Sequence, residues 1–345
     1  MVAHFVHWPA SVERVHTRIP ASFFSIVIGL SGFAGSWRAA SQVWDLTPIP
    51  GEVLNSLAGV IWLFLGINYG VKWMFAHEEA QAELNHPIQG LFVGLAGVAT
   101  MLVALGCLPY SPVLATAVFI PGLLATFAFA LWKTGKLWQG GRDPEQSIPA
   151  LYLPLVAGSF VTAIALGSLG FDAFAKLAFG AGFFSWLAID SVVLHRFLHA
   201  PEISHQLRPT FGVQLAPPAV GSVAYLATGA VPDMLLYGML GYALLQAAIL
   251  LRLIPWIAKH GVSISYWSFS FGATALATGM VKTAGMTEDP SMEILAMLVF
   301  GFTNMVMMII LVETIILAST GTLLTGKLPN SNAGRSGEET SPDRP

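Results

Sequence analysis

Long apolar segments alternate with short polar or proline-containing turns along most of the chain. Ten such segments can be delimited, at about 21–40, 53–75, 90–108, 112–135, 150–169, 173–197, 211–229, 233–257, 264–284 and 292–319. About 20 apolar residues are enough for an α-helix to span the hydrocarbon core of a bilayer. The pattern therefore predicts an all-α integral membrane protein with ten transmembrane helices.

Segment 9 carries hydroxyl groups and glycines at helical spacing. Ser268, Phe271, Ala275, Thr278 and Lys282 fall on one side of the predicted helix, and Phe271 is the one bulky ring on that side. A surface that faces lipid has no use for hydroxyl groups, so this side is expected to face protein or water. We predict that it lines a pore, that Phe271 blocks the pore, and that Lys282 lies at its mouth.

The other odd-numbered segments carry small or polar residues at similar spacing. The candidate pore-lining residues on them are Ser22, Ser25, Gly29, Gly32, Gly94, Gly97, Gly158, Thr162, Gln214, Pro217 and Gly221. Segments 4, 8 and 10 are instead filled with Leu, Ile, Phe and Met around most of their circumference. We predict five helical hairpins with odd helices inside and even helices outside, around a central pore. Close helix packing is the alternative explanation of the small residues.

The composition agrees with a membrane protein. Of 345 residues, 55% are hydrophobic and 10% are charged, whereas about 25% are charged in soluble domains. The net charge of -3 shows no basic footprint for nucleic acid. A single cysteine, Cys107, excludes an intramolecular disulfide and a cysteine-rich metal site.

The distribution of Lys and Arg predicts the orientation. Thirteen lie on the side of the termini, against Arg38, Lys176 and Lys282 on the other side. The positive-inside rule therefore places both termini in the cytoplasm. We divide the chain into a cytoplasmic lead-in at 1–20 that is not a cleavable signal peptide, a transmembrane domain at 21–325 and a disordered tail at 326–345.

Few residues indicate other chemistry. Asp190 and Glu313 lie within apolar segments, where they either form hydrogen bonds between helices or relay protons. Lys282 either concentrates anions at the pore mouth or reaches the lipid headgroups. His195, His199 and His205 lack a further ligand of known position, so we predict no metal and no cofactor. No hydrolase, phosphate-loop or metalloprotease motif occurs, which disfavours an enzyme.

Several short runs occur in an order that is specific to one known family. They are Ile19–Leu30, His86–Pro87, Leu137–Gly141, Tyr152–Pro154, Leu215–Pro217, Leu251–Trp256 and Trp267–Gly272. In these runs the chain resembles the tellurite-resistance/dicarboxylate transporter family, which includes the bacterial TehA proteins and the plant guard-cell slow anion channel. The resemblance is greatest to TehA.

The resemblance implies a quasi-fivefold ring of helical hairpins in a homotrimer of the bacterial inner membrane, with one pore in each protomer. It places the family's gating phenylalanine at Phe271 and kinks at Pro154 and Pro217, whereas Val27 and Gly97 stand where proline is expected. The implied function is an anion channel with lipids and small anions as partners. The alternatives are a proton-coupled carrier for C4-dicarboxylates, sulfite or tellurite, and an intramembrane enzyme.

Overall fold

The computed structural model describes residues 19–261, 263–321 and 323, and the regular secondary structure in these residues is helical. The α-helices are α1 (Phe24–Trp44), α2 (Ile49–Phe75), α3 (His77–Asn85), α4 (Gln89–Phe92), α5 (Leu95–Cys107), α6 (Pro112–Trp138), α7 (Gly158–Ser168), α8 (Asp172–His199), α9 (Ala216–Ala227), α10 (Met234–Ile257), α11 (Ser270–Met286) and α12 (Pro290–Ser319). Nearly all of the predicted lead-in and the whole predicted tail, at 1–18 and 326–345, lie outside the described residues.

Eight helical stretches of the described chain are long and apolar enough to cross a membrane. They are Ala21–Trp44, Ile49–Phe75, Gln89–Cys107, Pro112–Trp138, Pro149–Ser168, Asp172–His199, Met234–Ile257 and Pro290–Ser319. The two remaining predicted segments fold as α9 and α11. Because these two are rich in Pro, Gly, Ser and Thr, they do not qualify by length and apolarity.

Four of the five odd-numbered segments begin with irregular backbone, and segment 3 begins with the short helix α4, which a turn at 93–94 separates from α5. Turns of 3₁₀ helix precede four of the helices, at Ala21–Phe23, Pro149–Tyr152, Arg208–Leu215 and Ile264–Phe269. Pro154 lies in a π-helical turn at Leu153–Ala157, and Pro217 lies in the first turn of α9. Irregular backbone is tolerated at membrane depth only where protein or a cavity surrounds it. The irregular ends therefore belong to the interior of the bundle.

Burial separates the odd segments from the even ones. Of the apolar part of Ala21–Trp44 and of Gln89–Cys107, 67% is buried inside the chain, against 11% for Ile49–Phe75 and 17% for Asp172–His199. The even helices expose large side chains such as Val113, Phe184 and Met234, which suit a lipid environment. Among the described residues, the helices of the odd-numbered segments are thus the inner ones.

The inner helices contact one another in a closed cycle. Helix α1 contacts α5, α5 contacts α7, α7 contacts α9, α9 contacts α11, and α11 returns to α1. Each inner helix also packs against the even helix that follows it in the chain, as α5 does with α6 and α11 with α12. Because the connections between the members of each pair are short, each pair is a helical hairpin.

Candidate functional site

Two cavities lie among the five inner helices. The large cavity has a volume of about 680 Å³ and is bordered by the irregular starts of the inner segments, including Ser22, Tyr152 and Trp267. The small cavity has a volume of about 250 Å³ and is bordered by the opposite ends of the same segments, including Arg38, Ser168 and Lys282. The cavities therefore lie one after the other along the axis of the bundle.

Phe271 and Val220 separate the two cavities. Among the described residues, these two alone line both. The ring of Phe271 comes from α11, and Val220 comes from the neighbouring helix α9. A methyl group added at Gly32 of α1 would lie 3.1 Å from Cδ2 of Phe271, so the absence of a side chain there makes room for the ring. The narrow point between the cavities is thus apolar.

The side of segment 9 that the sequence singles out borders the cavities along its whole length. Ser268 lines the large cavity, Phe271 lines both, and Ala275, Thr278 and Lys282 line the small one. The hydroxyl of Ser268 donates a hydrogen bond to the carbonyl of Pro209. The hydroxyl of Thr278 donates to the carbonyl of Thr274 at 2.8 Å. The protons of these two hydroxyl groups are therefore engaged by the backbone.

Four further candidates border a cavity. Ser22, Ser25 and Pro217 line the large cavity, and Gly32 lines the small one. No Asp, Glu, Lys or Arg is found among the described residues that line the large cavity. Its wall is therefore neutral apart from the titratable side chains of Tyr152 and His205.

The structure places seven other candidates in contacts between helices. They are Gly29, Gly94, Gly97, Gly158, Thr162, Gln214 and Gly221, and none of them lines either cavity. A methyl group added at Gly94 would lie 2.7 Å from the Phe129 ring of α6, and one added at Gly158 would lie 2.5 Å from Cγ2 of Thr126. The lack of a side chain at Gly94 and Gly158 allows the outer helix α6 to approach closely.

Large apolar side chains occupy the cavity-facing side of three inner helices. On the segments of α5, α7 and α9 they include Phe92, Leu95, Val98, Leu102, Leu153, Val156, Phe160, Val213, Val220 and Val223. A search for small or polar stripes misses these residues, Val220 among them. Their spacing of three or four residues could have indicated a cavity-facing side of each helix, but the same spacing is equally typical of a helix face packed against protein.

Two basic side chains line the small cavity, of which one is paired with a carboxylate and the other is not. The guanidinium of Arg38 forms a two-point ion pair with Glu52, at 3.0 and 2.9 Å, and also donates to the carbonyl of Gly106 at 3.3 Å. Glu52 in addition accepts a hydrogen bond from the Tyr110 hydroxyl. The half-buried Lys282 has no hydrogen bond or ion pair within the described part of the chain.

Asp190 belongs to a network next to the large cavity. Its carboxylate accepts hydrogen bonds from the Tyr152 hydroxyl at 2.6 Å, the Gln214 amide at 2.7 Å and the Tyr242 hydroxyl at 3.1 Å. Tyr152 itself lines the large cavity, whereas Asp190 does not. Glu313 lies on the outer helix α12, far along the chain from this network, and forms no described hydrogen bond. The network ties α8 to the inner segments.

The histidines at the end of α8 do not form a metal site in the described structure. The rings of His195 and His199 stack with centroids 4.4 Å apart, and Nδ1 of His199 lies 3.1 Å from the carbonyl of His195. No group of three metal-ligating side chains is found among the described residues, His205 included.

A comparison with family models adds to this geometry. Residues 18–315 match the family described as SLAC1, voltage-dependent anion channel. The chain belongs to the SLAC1 family. The family resemblance seen in the sequence is thereby confirmed, and the chain is a multi-pass membrane protein that transports anions.

Curated relatives in the SLAC1 family come from bacteria and plants. The tellurite resistance protein TehA homolog of Haemophilus influenzae is 30% identical over 90% of this chain and 96% of its own length. The guard cell S-type anion channel SLAC1 of Arabidopsis thaliana is 24% identical over 87% of this chain, and the S-type anion channel SLAH2 of the same plant is 24% identical over 86%. The aligned regions span 56% and 59% of the two plant proteins.

Proposed function

We propose that this chain is an anion channel whose pore runs through a quasi-fivefold ring of five helical hairpins and is closed by Phe271. The observation that carries the proposal is the position of Phe271 between two cavities that together follow the axis of the inner helices. In this proposal α9 and α11 cross the membrane with the eight more apolar stretches, which makes ten transmembrane helices. Their polar residues avoid lipid because the other helices surround them.

The chemistry of the two cavities suits anions that pass without being held tightly. Conduction needs sites that bind weakly enough to release the ion. The large cavity offers hydroxyl-bearing residues such as Ser22 and Ser25 and no carboxylate in its described lining, so it does not repel anions. The aromatic ring of Phe271 fills an apolar constriction, which excludes water and therefore ions.

The proposed setting follows from charge and from the relatives. The excess of Lys and Arg supports an orientation with the large cavity and both termini on the cytoplasmic side and the small cavity on the outside. We propose the bacterial inner membrane as the location and a homotrimer with one pore per protomer as the assembly. The physiological substrate is a small inorganic anion, and tellurite enters as a candidate through the name of the Haemophilus influenzae relative.

Replacement of the ring tests the gate. In planar bilayers, Phe271→Ala is expected to pass chloride and nitrate currents roughly tenfold or more above those of the wild type, because the constriction loses its plug. Phe127→Ala is the matched control, since Phe127 is 60% exposed on the outer helix α6 and its loss leaves the pore unchanged. If Phe271→Ala conducts no better than the control, Phe271 is not the gate.

A proton-coupled carrier is the second candidate, and one observation favours it. The Tyr152 hydroxyl links the carboxylate of Asp190 to the wall of the large cavity, so a proton on Asp190 would alter a group that substrate can reach. Liposome flux of sulfite and malate with and without a pH gradient separates the two mechanisms. A carrier would show flux that follows the gradient and is abolished by Asp190→Asn, whereas a channel would show flux that is independent of the gradient in both proteins.

A further inference from the structure

The small cavity contains an ammonium group that lacks a counter-charge. Lys282 is half-buried on α11, in a wall that the described residues of α1, α5, α7 and α9 complete. None of the described residues that line this cavity is an Asp or Glu. A charged group that is withdrawn from water is normally paired, and an unpaired one is unfavourable. A bound anion would remove the imbalance.

Arg38, the second basic group in this wall, does not change the net charge of the cavity. Arg38 is already neutralised by its two-point ion pair with Glu52, and its remaining contact is the carbonyl of Gly106. The Thr278 hydroxyl, one turn before Lys282, has its proton engaged by the backbone. Neutral donors such as Ser31 and Gln42 also line the cavity, but among its described lining Lys282 is the basic group without a counter-charge, and its ammonium has three N–H groups to offer.

We propose that the small cavity is a binding site for a small inorganic anion held by Lys282. A volume of about 250 Å³ holds a chloride or a nitrate ion with several waters. A phospholipid headgroup is the other source of negative charge for a lysine near a membrane surface, but the acyl chains attached to it cannot fit between the inner helices. One cation without a rigid cage gives the weak site that a pore requires.

The two cavities would then attract anions to different extents. The large cavity has no charged Lys, Arg, Asp or Glu in its described lining, whereas the small one has the unbalanced charge of Lys282. Anions would accumulate at one end of the pathway, so current through an opened pore would be larger in one direction than in the other. This consequence rests on the proposed channel, whereas the binding site itself does not.

Direct observation of the anion tests the site without any transport. Crystals of the wild-type protein grown with bromide are expected to show an anomalous peak beside Nζ of Lys282 in the small cavity. The peak should disappear in Lys282→Gln and persist in Lys282→Arg. Absence of a peak from the wild-type cavity, or persistence of the peak in Lys282→Gln, would overturn the proposal. Lipid headgroup density beside Nζ of Lys282 in place of the bromide peak would assign Lys282 to headgroups and overturn the proposal.

Currents in the Phe271→Ala background test the effect on conduction. At low ionic strength, adding Lys282→Gln should reduce chloride conductance about fivefold, the effect of one charge at contact distance in water, and abolish rectification. At about 1 M salt the difference should vanish because the Debye length falls to roughly 3 Å. The matched control is Lys176→Gln, which removes an exposed charge at the start of α8, at the same end of the bundle and outside both cavities.

The outcomes separate the two proposals. If Phe271→Ala itself carries no current, the channel proposal fails and the bromide experiment alone decides the anion site. If Phe271→Ala conducts but Lys282→Gln behaves like Lys176→Gln at low salt, the site has no part in conduction and the proposed asymmetry of the current is overturned, whereas the bromide experiment decides the binding site. Lys282→Arg, which keeps the charge, should restore rectification, and this excludes loss of folding as the cause.

Discussion

The ammonium of Lys72 lies 2.6 Å from the carboxylate of Glu83, and both side chains are 2% exposed. The other oxygen of Glu83 accepts a hydrogen bond from the backbone N–H of Ala21 at 2.7 Å. Ala21 is the first residue of the 3₁₀ turn that precedes α1. One buried carboxylate thus joins the end of α2, the short helix α3 and the segment that brings Ser22 to the large cavity. The relationship links α3 to backbone that borders the large cavity.

Removal of one partner of this pair should destabilise the protein strongly. Lys72→Met leaves a buried carboxylate without its counter-charge, which costs about 3–5 kcal/mol of unfolding free energy. The double variant Lys72→Met/Glu83→Gln should lose less than the sum of the single variants. Thermal unfolding of the purified protein in detergent measures these effects.

As a control, Glu202→Gln breaks the ion pair with Arg208, in which Glu202 is 63% exposed, and should cost no more than about 1 kcal/mol. Equal losses for the buried and exposed pairs would contradict the prediction.

The close approach of α1 and α11 depends on Gly29. A methyl group there would overlap Oγ of Ser270 and lie 2.8 Å from Cε3 of Trp267, and both of these side chains are buried. Gly29→Ala should therefore lower the unfolding free energy by about 1–3 kcal/mol, the usual cost of overpacking. Gly35→Ala on the same helix meets nothing within 4 Å and should raise stability slightly, since alanine favours helix more than glycine does. Identical shifts in melting temperature for the two variants would show that this contact is not tight.

His86, which lies just before segment 3, should make the free energy of unfolding depend on pH. Its Nδ1 accepts the backbone N–H groups of Ile88 and Gln89 at 3.1 and 3.0 Å. Burial, and then the charge of Lys133, lower the pKa of His86 below its usual value of 6.5. The folded protein thus prefers the neutral ring, and this contribution is complete above the unfolded pKa and decreases as pH falls below it.

A histidine replacement tests this pH dependence. Between about pH 8 and about pH 5, the melting temperature of the wild type should fall more than that of His86→Asn, whose side-chain oxygen can accept the same N–H groups and does not titrate. His86→Ala should be less stable than the wild type at the higher pH because both N–H groups lose their acceptor. Parallel melting curves for wild type and His86→Asn across this range would exclude His86 as the titrating group.

Val220 should contribute to the seal that we propose for Phe271. Val220→Ala removes two methyl groups from the constriction while the ring stays in place, so the variant should leak anions several-fold above the wild type. Val156→Ala and Val223→Ala delete the same volume from the wall of one cavity each and should not leak. Liposome efflux of nitrate compares the three. A leak in all three variants would indicate a general loosening of the bundle instead.

Sequence periodicity predicts which side of segment 9 faces the interior. All five residues predicted from it, from Ser268 to Lys282, border the cavities. The physical reason is local: hydroxyl groups and a lysine on a long apolar helix cannot face lipid, so their side of the helix must face the interior. The same reasoning distinguishes segments 4, 8 and 10 as outer helices, because large apolar side chains cover most of their circumference.

The orientation of α5, α7 and α9 was decided only by tertiary packing. Gly97 and Gly158 face the outer helix α6, and Gly221 of α9 faces Phe160 and Met239, whereas large apolar residues such as Leu95 and Val220 face the cavities. A glycine stripe is needed both where two helix backbones approach closely and where a pore must be wide. Sequence alone determined that these helices are internal and carry a small-residue side; which neighbour that side meets depends on how five helices pack at once.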